Sequence, residues 1–253
     1  MEQSKLIKIS ASIYRLVKSL ATRFILTQRQ GSELIKIAAI MTAPRHEITY
    51  ARNKIEAVLK ELQIPLTVSL GVFYGQCMQI MLEQLVESDC QYAVTIDFDS
   101  LFTAKQLTRL IALVVEHDHI DAIAPMQVRR GKLAMLGTSP LGVQVGDAKQ
   151  IQWDGSPLLG TTAHFGLTVL DLKKLKGVPK PWFHATPDEN GSWGPNKIDD
   201  DVSFWMAWKK AGNSVYFDPA TRIGHLEEMV AIHDERMNAR HIYPSDWEEQ
   251  NAS

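Results

Sequence analysis

Cysteine is scarce: Cys77 and Cys90 are the only two in 253 residues. Two thiols cannot make a disulfide framework, and neither falls in a Cys-x-x-Cys or Cys/His cluster, so zinc-finger and dithiol redox chemistry are set aside. No uninterrupted apolar run approaches the roughly 20 residues that span a bilayer, and the N-terminus lacks a signal peptide's continuous apolar block. A reducing, cytoplasmic setting is therefore expected. Strong net charge is missing too: 27 basic residues face 29 acidic ones, a formal charge of −2. No global basic field is available to recruit nucleic acid. Repeats, low-complexity tracts and an evident interdomain linker are also absent, while a hydrophobic fraction of 45% is enough for a sizeable core.

The charge that is present is unevenly spread. Residues 1–30 hold six Lys/Arg against one Glu, which leaves 21 basic and 28 acidic residues for an acidic body suited to holding a cation. Within "KLIKISASIYRLVKSLATRF", Lys5, Lys8, Arg15, Lys18 and Arg23 project to one side of a helix, and Leu6, Ile9, Ile13, Leu16, Val17, Leu20 and Phe24 to the other. Residues 1–33 are read as a basic amphipathic helical extension. Its stripe suits either packing on the parent domain or a partner, or peripheral contact of residues 5–26 with an anionic inner membrane face.

From residue 34 the pattern alternates. "ELIKIAAIMTAP", "IPLTVSLGVFYG", "QYAVTID" and "IDAIAPMQV" are β-rich apolar runs. Between them "TYARNKIEAVLKEL", "QCMQIMLEQLVES" and "TAKQLTRLIALVVEH" carry apolar residues at helical spacing, the last opening on a Thr cap. Such alternation predicts an α/β domain, residues 34–230, with a mostly parallel sheet whose functional groups gather beyond the strands' carboxyl ends. After Arg129 comes a turn-rich stretch with room for a hairpin. It is followed by a strand entering a short helix in "TTAHFGLTVLDLKKL", a polar loop in "PKPWFHATPDENGSWGPNK", and a helix headed by acids in "DDDVSFWMAWKKAGN". "SVYFDPATRIGHL" adds late extended segments, and residues 231–253 read as a tail.

The third strand ends in "TIDFDS". In an extended chain residues i and i+2 share a side, so Asp97 and Asp99 can meet one hard divalent cation or its bound phosphates. An Asx turn explains the same two acids without a ligand. An aspartyl-phosphatase arrangement, with Asp97 as nucleophile, is a rival, but its usual Thr two residues after the second Asp is replaced by Leu101, and two strand–helix units precede the motif.

The order "MTAPR", "YAVTIDFDS" plus helix, "HFGLTVLDLKKLKGVPKPWF", "DDDVSFWMAWKKAG" and "FDPATRIGHL" resembles the GT-A type nucleotide-diphosphosugar glycosyltransferases of the broad family 2 group, over residues 35–227. The resemblance implies a GT-A-like (Rossmann-like) fold with a smaller mixed acceptor-side region. It also implies a UDP- or GDP-sugar donor, Mn²⁺ (or Mg²⁺), and a glycan, lipid-linked or other hydroxyl acceptor. Asp99 then binds the metal, Asp97 contacts the ribose or the metal, and His225 closes over the donor as a further ligand, imidazole favouring Mn²⁺. Asp201 takes the place of the inverting members' general base. Asp200 stands where the family has Glu, and this shortened side chain keeps it as a second candidate. Helix capping by Asp199 to Asp201 is the plain alternative.

Thr42 and Arg45, after the first strand, stand where family members grip base and ribose. Gln127, Arg129 and Arg130 end the fourth strand facing the same crevice. Trp182 is a candidate sugar platform, Phe183 reads as core, and Gly166 is a candidate for close backbone approach to acceptor or donor. "MTAPRHEITY" has no Gly, which argues against a nucleotidyltransferase phosphate loop. The remaining alternative is a non-catalytic scaffold of the same fold acting through its N-terminal helix.

Overall fold

The computed structural model describes residues 29–30, 33–44, 47–128, 135–136, 156–233, 236–244, 246 and 249. The basic N-terminal segment, Arg45, Arg129 and Arg130 lie outside the described residues, as does most of the turn-rich stretch after strand four. A two-residue ribbon, β1 (Arg29–Gln30) with β2 (Glu33–Leu34), precedes the main sheet.

The elements then run β3 (Ile37–Ala43), α1 (Thr49–Glu61), β4 (Leu66–Leu70), α2 (Tyr74–Val86), β5 (Tyr92–Asp97), β6 (Ser100–Leu101), α3 (Ala104–Glu116) and β7 (Ala122–Val128). There follow β8 (Met135–Leu136), β9 (Leu158–Leu159), β10 (Leu167–Asp171), α4 (Leu172–Lys176), α5 (Asp200–Lys210), β11 (Tyr216–Arg222) and β12 (Gly224–His225). A hairpin of β13 (Val230–His233) and β14 (Ala239–Ile242) crosses the 230/231 boundary.

The main sheet has the order β4-β3-β5-β10-β7-β11-β9, with β8 on β7. β3 is parallel to both β4 and β5, and β11 to β7; β10 runs antiparallel to β5 and β7, and β9 antiparallel to β11. The predicted mostly parallel sheet flanked by helices is present. The antiparallel β10, wedged between the third and fourth predicted strands, is the feature that strand–helix alternation could not anticipate.

Burial on both faces explains why these strands read as continuous apolar runs. Along β3, Ala38 and Ile40 enter one core layer, while Ile37, Ala39, Met41 and Ala43 enter the other. The first layer is closed by Met78, Met81, Leu82 and Leu85 of α2 and by Phe204, Trp205 and Trp208 of α5; the second by Ile55 and Leu59 of α1 and the Leu107, Leu110, Ile111, Val114 stripe of α3. The predicted Thr cap on α3 is a full capping box, Thr103 with Gln106. Among the described residues no helix is long and apolar enough to cross a membrane.

Candidate functional site

Parallel β3 and β5 end side by side, with Thr42 paired in register to Asp97. Because β10 is antiparallel, its leading residues arrive at this same sheet edge, where the Asp97 amide donates to the Gly166 carbonyl at 3.2 Å. The N-terminus of α5 closes the other side. Together these ends bound a cleft of about 770 Å³ lined by Thr42, Gly71, Tyr74, Asp97, His164, Asp199, Asp200, Asp201 and His225, among others. Of the sequence candidates, Thr42, Asp97, Asp200, Asp201 and His225 therefore share one cavity. Its described lining carries four carboxylates and no Lys or Arg.

Asp97 and Asp99 do not project together from an extended strand. The chain turns at Phe98–Asp99 so that Ser100–Leu101 can pair with Gly224–His225. Asp97 faces the cleft, while Asp99, 1% exposed, turns to His225. The His225 Nδ1 lies 2.9 Å from the Val128 carbonyl, which can only accept, so Nδ1 carries the hydrogen. In the neutral ring Nε2 then presents a lone pair, 3.2 Å from Asp99 Oδ2, a contact by distance rather than an aligned hydrogen bond. A carboxylate oxygen facing an imidazole nitrogen whose far side is held by a carbonyl is a donor set that suits a divalent ion such as Mn²⁺. The expected three-ligand cluster of Asp97, Asp99 and His225 is not assembled, however. Among the described residues no group of three or more His, Cys, Asp or Glu side chains is placed to hold a metal.

The three acids at the start of α5 have distinct partners. Asp199, at the N-cap position, makes no side-chain cap and pairs instead with Lys197 at 2.9 Å. Asp200 accepts from the Ala185 amide at 2.7 Å, tying the preceding loop to the helix, and only a glycine at 75 leaves room for it: a Cβ there would stand 2.5 Å from Asp200 Oδ2. Asp201 accepts from the Val202 amide at 2.8 Å. Burial raises the Asp201 carboxyl above its ordinary pKa, the Val202 hydrogen bond opposes this, and the charges of Asp199 and Asp200 add to it. Of the two base candidates, Asp200 is committed to the bond that ties the preceding loop to the helix, and Asp201 is the one whose carboxyl is raised by burial.

Two cleft residues carried no sequence signal of their own. Tyr74 opens α2 directly beyond the end of β4, its ring against Phe165 and Phe183 with centroids 6.5 and 6.2 Å away. Its phenol is held protonated, pushed well above its ordinary pKa by burial first and then by Asp97, Asp201 and Asp200. His164 contacts the Pro125 carbonyl through Nε2 at 2.9 Å and accepts from the Gly166 amide through Nδ1 at 3.1 Å. Burial, partly offset by the Pro125 bond and reinforced by His225, brings its pKa to about 4, so the ring is neutral. Tyr74 lies just past the end of β4 and His164 just ahead of β10, and neither position is marked by a motif of its own.

Two expectations are corrected. Trp182 is 1% exposed, sits in the core and donates its indole N–H to the Val178 carbonyl at 2.9 Å, leaving no face for a sugar ring. Phe183 is core, as read. Gly166 does permit a close approach, but to a protein side chain: a Cβ there would lie 2.4 Å from Gln127 Oε1. Gln127 itself is buried near the end of β7.

The fold is α/β and GT-A-like by comparison with solved structures. The chain is similar to the crystal structure of A197 from STIV, with a TM-score of 0.55 and 14% identity over 81% of this chain and 93% of that one. It is also similar to GalNAc-T7, solved with UDP, GalNAc and Mn²⁺, at a TM-score of 0.51 and 11% identity over 81% of this chain and 44% of that one. No family model and no curated protein matches the sequence. At these identities the likeness concerns the fold.

Proposed function

We propose that the chain is a divalent-cation-dependent glycosyltransferase that moves a sugar from a nucleotide-diphosphate donor to an acceptor hydroxyl with inversion. The observation that carries this reading is the presence of Asp201, raised in pKa, in the same strand-end cleft as Thr42, Asp97 and His225. GalNAc-T7 supplies a precedent in fold for UDP, GalNAc and Mn²⁺ as ligands, by analogy only.

In this reading Thr42 and Asp97 hold the ribose end of the donor, with Arg45 and Arg129 as candidate contacts to base and phosphate. Asp99 and His225 would hold the cation, which would supply positive charge against that gathering on the departing diphosphate. The acceptor oxygen forms a new bond to the anomeric carbon as the bond from that carbon to the diphosphate breaks. Asp201 takes the hydroxyl proton, and its raised pKa makes it a better base than an ordinary aspartate. Tyr74 keeps its proton among three carboxylates and so donates into the cleft, orienting an oxygen of the sugar or acceptor. The four carboxylates of the described lining repel a bare diphosphate, and a bound cation would offset that repulsion.

The test is a screen of UDP- and GDP-sugars for slow Mn²⁺-dependent hydrolysis, repeated with Asp201→Asn. Turnover of one donor that Asp201→Asn loses while still binding the nucleotide supports the reading; no turnover of any donor, or full turnover in the variant, contradicts it.

A further inference from the structure

Gln127, near the carboxyl end of β7, is 1% exposed. Its Nε2 reaches Ser100 Oγ at 3.4 Å, while its Oε1, shut off from solvent, has no hydrogen-bond partner among the described residues. A buried amide oxygen left without a donor is unfavourable, and native structures keep few of them. Here the surroundings are shaped to keep it, since any side chain at 166 would collide with that oxygen.

The neighbours of Gln127 tie it to the Asp99–His225 pair. Ser100, which it contacts, follows Asp99 in sequence and is the in-register partner of His225 across β6 and β12. Val128, the residue after Gln127, supplies the carbonyl that fixes the His225 ring through Nδ1. Ser100 thus meets the Gln127 side chain on one hand and pairs in register with His225 on the other, and Asp99 Oδ2 lies 3.2 Å from His225 Nε2. An amide oxygen, a carboxylate oxygen and an imidazole nitrogen form a mixed ligand set that Mn²⁺ accepts, and one that contains only two acid or imidazole groups.

We propose that Gln127 Oε1 is a third protein ligand of the divalent cation, in the place that Asp97 leaves by facing the cleft. This rests on the cation site proposed above. Mn²⁺ binding to the full chain, without nucleotide, is followed by loss of the free-ion electron paramagnetic resonance signal in wild type, Asp99→Asn, Gln127→Met and Gln127→Glu. Gln127→Met keeps the volume and removes the hard oxygen, so its Mn²⁺ affinity is expected to fall by about 10–100-fold. Gln127→Glu adds charge to the same position and is expected to bind several-fold more tightly than wild type, which a purely structural role for the amide would not produce. Wild-type affinity in both Gln127 variants, with Asp99→Asn deficient, overturns this inference and leaves the Asp99–His225 site standing. A wild type that takes up no Mn²⁺ overturns both. If Gln127→Met does not fold, Gln127→Glu decides: tighter binding supports the assignment, and unchanged or weaker binding overturns it.

Discussion

His225 Nε2 lies 3.2 Å from Asp99 Oδ2, although the two residues are 126 positions apart and follow different strands of the main sheet, β11 and β5. The contact exists because the two-residue strands β6 and β12 pair, placing His225 opposite Ser100. A cation seated there binds only the folded chain, so by mass action it should stabilise the fold by about 2.7 kcal/mol at a hundred times Kd and raise the melting temperature accordingly. Mn²⁺ titrated into a thermal melt should produce this rise in wild type, and His225→Ala should abolish it.

Asp201 gives a prediction in pH. A base must be ionised to work, and this carboxyl titrates above the ordinary aspartate range. Turnover should therefore fall on acidification through a limb lying above that range. Asp201→Asn should lower kcat by about 10²–10⁴-fold. A pH–rate profile of donor hydrolysis checks both.

The same residue should trade stability for activity. A raised folded pKa means that the protonated form favours folding and that this contribution is lost as pH rises through the folded value. At neutral pH an uncharged amide relieves the penalty, so Asp201→Asn should melt higher than wild type, on the order of 2–4 °C for each 1 kcal/mol recovered. Differential scanning calorimetry at pH 7 measures it.

Asp200 should behave oppositely. Removing its carboxylate in Asp200→Ala leaves the Ala185 amide without its acceptor, a loss of about 1–3 kcal/mol. Gly75→Ala, which forces a Cβ against that carboxylate, should cost a similar amount, about 1–3 kcal/mol. Urea unfolding of the two variants separates this structural acid from Asp201.

His164 sets a stability slope. Its folded pKa of about 4 lies below the ordinary 6.5, so between these values the unfolded chain takes up a proton that the folded chain refuses. Stability is complete above pH 6.5 and declines as pH falls toward 4, by roughly 3 kcal/mol. His164→Gln, which can still donate and accept, should flatten that slope in denaturant titrations at pH 4–7.

Much of the fold was legible because burial on both sheet faces writes continuous apolar runs, and amphipathic α1 to α3 write their own period. The Thr103 cap was readable for the same local reason. The antiparallel β10 was not, since strand order is decided by packing between distant segments. At the site, the two-residue spacing of Asp97 and Asp99 suggested joint ligation, but the pairing of Ser100 with His225 bends the chain between them. Trp182, read from the sequence as a candidate sugar platform, is an anchor of the core, since an aromatic after Pro181 can serve either end and its indole bond to Val178 decides between them. Tyr74 and His164 become meaningful only once tertiary structure brings them beside the acids, and Gln127 only once its burial is known.

The central claim is a cleft that binds a nucleotide diphosphate through a cation at Asp99 and His225, and isothermal titration of UDP and GDP into wild type and Asp99→Asn, each with and without Mn²⁺, tests it most directly. Binding of one nucleotide by wild type that requires Mn²⁺ and is lost in Asp99→Asn is the predicted result. Binding that is indifferent to Mn²⁺, or undiminished in Asp99→Asn, would contradict it.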